Sequence, residues 1–182
     1  MNRRQFIALS SATLASRQLR AAPTTEIVAA ASPLQVDELS IEAALQRLDQ
    51  LQSGQVTTRG RWNLFQVYTH LAQSVEFSMT GYPQQKSWLF KNTVGSLAFV
   101  VFAGKGSMNH SLDEVIPGAP LLEPEGDAQQ ALERLRQSLQ AFQSYSGELQ
   151  PHFAYGALSR QEYELAHVMH LNNHLEEFVQ SG

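Results

Sequence analysis

Apolar residues recur at helical spacing over most of the chain and alternate over no stretch of useful length. Ile41, Ala44, Leu45, Leu48 and Leu51 mark one face of a first helix, with Ser40 as its cap and Gly54 as its end. A second helix is predicted over 62–80, from Trp62 through Leu71 and Val75 to Met79, stopped by Gly81-Tyr82-Pro83. A third, over about 87–103, is apolar almost all round near its end. Such a helix is expected to be buried or clamped between partners, and a homodimer is one way to cover it. Residues 104–126 carry too many Gly and Pro for a regular element and predict a long loop. Asp127 caps a fourth helix with Leu132, Leu135, Leu139 and Phe142 on one side, and Glu133 and Arg136 three apart on its outer side. Ser159 and Glu162 form a capping box at the start of the last helix. The expected class is all-α: helices of bundle length over residues 40–182, joined by loops of which one is long.

Composition narrows the chemistry. The 182 residues include no cysteine, which excludes disulfides, thiolate metal sites and cysteine nucleophiles. The N-terminus reads MNRRQFIALSSATLAS, with Arg3-Arg4 before Phe6 and a mild apolar run from Ile7 to Ala15. It predicts a twin-arginine export signal over residues 1–22, a linker over 23–39 and a periplasmic location. The run is too short to span a bilayer, and no span is expected in the mature chain. Residues 1–22 hold four arginines, no lysine and no acid; without them the net charge falls from −4 to −8. So acidic a domain, lacking a basic stripe, is no candidate for nucleic acid.

The candidate chemistry lies in HVMHLNNH, residues 167–174. At about 100° per residue, His167, His170 and His174 fall within an arc of about 60°. His170 and His174, four apart, reach one ion; His167 and His174, about 10.5 Å apart along the axis, do not. A third ligand is expected from His70, mid-way along the second helix, where Gln66, His70 and Gln73 make a polar strip. If that strip faces the core it must line a polar cavity, because buried unpaired amides are costly. Three neutral imidazoles would leave coordination positions open to water or substrate. His110 and Asp113, in the long loop, could cover the ion or donate to substrate. Glu177 could orient His174 from behind. Glu76, about 240° round from His70, points elsewhere. HxxxH pairs also occur as solvated or satisfied polar residues, so spacing alone leaves a purely structural role open.

The stretches RWNLFQVYTHLAQSVEFSMTG and HLNNHLEEF, with SMTGYP, KNTVGSLAF and IPGAP, resemble the DinB/YfiT-like superfamily over about residues 40–180. The nearest likeness is to a branch known only as a domain of unknown function. The resemblance implies a four-helix bundle holding one divalent metal, zinc or nickel, on His70, His170 and His174. Relatives act as metal-dependent thiol transferases or hydrolases on small molecules. Where some carry a second histidine beside the last ligand, this chain has Asn173. The implied function is a metal-dependent hydrolase or transferase; the alternative is a non-catalytic periplasmic bundle that binds a metal or small ligand.

Overall fold

The computed structural model describes residues 39–53 and 56–180. The predicted export signal and all of the predicted linker but Leu39 lie outside them. The element order is α1 (Ile41–Ser53), β1 (Val56–Thr58), α2 (Leu64–Thr80), α3 (Trp88–Phe90), a π-helical turn (Lys91–Gly95), α4 (Ser96–Lys105), α5 (Ala128–Ser144), α6 (Arg160–Leu175) and β2 (Phe178–Gln180). Helices α1, α2, α5 and α6 pack together, and the α3–π–α4 arm lies against α6. The all-α expectation holds.

Local chemistry starts each bundle helix where the polar residues stand. The Ser40 hydroxyl accepts from the Ala43 amide at 3.1 Å, and Asp127 accepts from the amides of Gln129 and Gln130. Ser159 and Glu162 form the predicted capping box. Asn63 and Gln66 form a second one, so α2 begins at Leu64 and Trp62 stays outside it. Caps of this kind are worth about 1 kcal/mol each.

The core is the sum of the predicted faces. Ile41, Leu48, Val67, Leu71, Leu132, Leu135, Leu139, Phe142, Tyr163 and Leu171 are all essentially sealed from solvent in one cluster. Each buried side chain of that size contributes about 1.5–3 kcal/mol of transfer free energy. Glu133 and Arg136 pair across one turn at 3.4 Å, as their spacing suggests.

Three features depart from expectation. The third helix is no buried rod. Only Phe99 and Gly95 are buried along it, while Trp88 is 74% exposed and Leu97 and Val100 64% each. Its middle is a π-helical turn that ends on Gly95, which comes so close to the 152–156 turn that a Cβ would collide with the Ala154 carbonyl. Secondly, two short strands exist, β1 and β2, paired antiparallel with Thr57 opposite Val179. At three residues each, they are too short to show alternation. Thirdly, the long loop is tied down: Ile116 and Met108 are buried, and α2 holds its carbonyls. No described helix is long and apolar enough to cross a membrane.

Candidate metal centre

His70 sits mid-way along α2, and His170 and His174 lie one turn apart on α6. Packing of these helices brings the three rings together, with centroids 4.9 Å (His70–His170), 5.0 Å (His170–His174) and 5.2 Å (His70–His174) apart. One ligand nitrogen from each lies within 4.8 Å of the others. The Nε2 atoms of His70 and His170 are 3.1 Å apart. Two nitrogens on one tetrahedral zinc would stand about 3.3 Å apart, so this pair needs almost no movement. The widest separation is larger, and closing it takes a ring shift on the order of 1 Å.

The unmet hydrogen bonds fit an ion. His70 Nδ1 and both nitrogens of His174 are buried with no partner, although an orphaned buried polar atom costs about 1–3 kcal/mol. Burial first, and then the neighbouring His174 and His110, push His70 down to about 3. Burial and His110 likewise push His174 down to about 3, and burial followed by the neighbouring histidines drives His170 well below the ordinary value. All three are neutral near pH 7, the form that binds metal. The trio could therefore hold a metal ion.

Two further rings crowd this centre. Trp62, just ahead of α2, stacks on His174 at 6.2 Å and 8° and lies 4.9 Å from His70. Its apolar neighbours marked it only as a core residue. His110 arrives from the long loop, its ring 5.0 Å from His170 and 5.9 Å from His174. Its Nδ1 donates to the Ser111 carbonyl at 2.7 Å, which directs the other nitrogen away from its own backbone. The expectation that His110 covers the site agrees with this placement.

The minor candidates, for which a solvated or surface role is the favoured reading, are engaged elsewhere. Asp113 faces away, paired with Arg61 at 2.8 Å and accepting from the Ser111 hydroxyl. The Glu177 carboxylate lies against Gly60, leaving no room there for a Cβ, and does not engage His174. Gln66 and Gln73 do not line a cavity beside His70. Gln66 joins the cap of α2 and donates to the Leu122 carbonyl, and Gln73 reaches the Pro120 carbonyl at 3.4 Å. The polar strip anchors the loop to α2. Glu76 does point elsewhere, onto Arg134 and the Ser138 hydroxyl.

A cavity of about 210 Å³ opens beside the trio, with His70 and His170 in its wall. That is below the ~300–1,000 Å³ of drug-sized sites and suits a small molecule. Phe90, Met108 and Ile116 supply much of its apolar lining; Lys86 and Glu114 are exposed members of the wall. His152 and His167 also face it. His167, read from spacing as outside the ligand set, is buried and bonded to Ser78 at 3.2 Å. His152 carried no sequence signal, being a lone histidine in a turn.

Comparison with known families agrees with an unassigned activity. The model of the family described as "Protein of unknown function (DUF1569)" matches residues 30–181, and the chain belongs to that family. No curated protein and no solved structure matches it.

Proposed function

We propose that this is a DinB-like metalloprotein whose His70, His170 and His174 bind one divalent ion, zinc or nickel, next to a small-molecule cavity. The observation that carries the reading is the set of three converging neutral imidazoles, two buried and one half-buried, with unmet nitrogens on His70 and His174. The ion would supply Lewis-acid polarisation of a substrate oxygen. His70 and His170 would present it to the cavity, Trp62 would hold the His174 ring flat, and His110 and the apolar wall would exclude water. The class of reaction is hydrolysis or group transfer on a small substrate. Elemental analysis tests the site: wild-type protein should carry about one ion per chain and the His170→Ala variant far less. Equally low metal in both removes the proposal.

The reading includes export to the periplasm, supported by Arg3-Arg4 and Phe6 ahead of a short apolar run. Replacing both arginines with lysine should leave the protein in the cytoplasm. Unchanged export would refute the signal.

The alternative, a bundle that binds without turnover, draws support from the wall itself. Glu114 is the one carboxylate among its described lining residues, and it is exposed. A screen of small esters, amides and thiols decides between the two; turnover that chelation abolishes would discard the binding-only reading.

A further inference from the structure

Two buried histidines in the cavity wall take no part in the metal centre, and the surrounding hydrogen bonds fix the proton on each. His152 Nδ1 accepts from two backbone amides, Ala154 and Tyr155, at 3.2 Å each. Its proton is therefore on Nε2, for which no described group is a partner. His167 has the opposite polarity. The Ser78 hydroxyl spends its only proton on the Val75 carbonyl at 2.6 Å, so it can only accept from His167 Nε2. That leaves His167 Nδ1 as a bare acceptor, again with no described partner.

Aromatic packing holds both rings in place. His152 stacks on Tyr155 at 4.3 Å and 7°, and His167 is held edge-on to Phe142 at 5.0 Å and against Tyr163 at 5.4 Å. Burial pushes both imidazoles down to about 3, so neither carries charge near pH 7. The remaining wall is mostly apolar, and its two charged members, Lys86 and Glu114, are exposed.

We propose that His152 and His167 form a recognition wall for a neutral carboxamide. The His152 Nε2–H donates to the amide oxygen, and His167 Nδ1 accepts from the amide N–H. The buried Ser74, on the same wall, is a further polar neighbour. With no ion bound, a carboxylate or an ammonium would enter a cavity with no buried counter-charge, at a high desolvation cost. An ester or tertiary amide would leave the His167 acceptor unpaired, a loss that sites built to bond an N–H discriminate against strongly. The proposal rests on the reading of this cavity as the substrate site but not on the presence of the ion.

The test uses ligand-observed NMR titration with isobutyramide, isobutyrate and N,N-dimethylisobutyramide. It is run on the protein as purified and again after chelation, where no ion attracts the carboxylate. After chelation isobutyramide should bind about tenfold more tightly than the other two, and in the protein as purified about tenfold more tightly than the dimethylamide; His167→Phe should remove that preference with metal content unchanged. Equal affinity for the three probes, or no binding of the amide, overturns the proposal. If the variant does not fold, nitrogen-15 NMR of the wild type decides: a proton on His167 Nδ1, or none on His152 Nε2, overturns it equally. Preference for the amide in a protein that holds no metal would discard the ion and keep this inference.

Discussion

Two groups of histidines meet at one cavity wall, the trio through His70 and His170 and the pair through His152 and His167, and they differ in how the protein treats their nitrogens. The trio of His70, His170 and His174 has three nitrogens that nothing satisfies. The pair of His152 and His167 has one nitrogen each committed to a backbone or hydroxyl partner. In the first group both nitrogens of His174 and one of His70 are unmet, while in the second each ring has one nitrogen met by the fold and one left over. Both are kept neutral by burial, so charge does not separate them. What separates them is whether protein contacts hold one nitrogen of every ring, as in the pair, or leave a whole ring such as His174 unmet.

The acid limb of stability tests the shared part of this comparison and should show the largest effect. Both His152 and His167 have folded-state values near 3, below the ordinary 6.5 of the unfolded chain. Between these values the unfolded state binds more protons, so stability falls as pH drops through the window and is fully present above about 6.5. Each group adds on the order of 1.4 kcal/mol per pH unit within it. Denaturant titrations in chelator at pH 7 and 5 should therefore differ by about 4 kcal/mol from the pair alone. A flat profile would mean that the two are not buried neutral.

Truncation then separates the groups. His167→Ala removes a ring packed on Phe142 and Tyr163 together with its bond to Ser78. In metal-free protein it should cost about 2–4 kcal/mol. His174→Ala, in the same metal-free state, deletes two orphaned nitrogens along with the ring. Relief of their penalty offsets the cavity, and the net cost should stay within about 1 kcal/mol. Equal losses in urea unfolding of the two variants would erase the distinction drawn here.

Much of the bundle was legible because its signals are local. Ser40, Asp127 and Ser159 cap helices where their hydroxyl or carboxylate reaches amides two or three residues on. The pairing of His170 with His174 follows from one helical turn, and the polarity of His70 within an apolar face drew attention to it. The places where the reading failed depend on distant partners. Gln66 and Gln73 bond carbonyls about fifty residues away, in the loop. The π-helical turn ends where Gly95 meets Ala154, far along the chain. Trp62 looked like any core aromatic until α6 placed His174 beneath it.

By itself the sequence determined the helical class, the caps at Ser40, Asp127 and Ser159 and the one-turn spacing of His170 and His174, because spacing of about 3.6 residues per turn and nearest-neighbour capping are properties of short segments. Only the tertiary structure decided which of six histidines stand together, which nitrogens are met and which proton each ring carries. Except at His152, whose amide partners lie in its own turn, those are set by groups from other helices and turns, whose approach no local spacing encodes. The exposed apolar flank of α4 belongs to the same category: a periodicity that promised burial, which the packing of one chain leaves open.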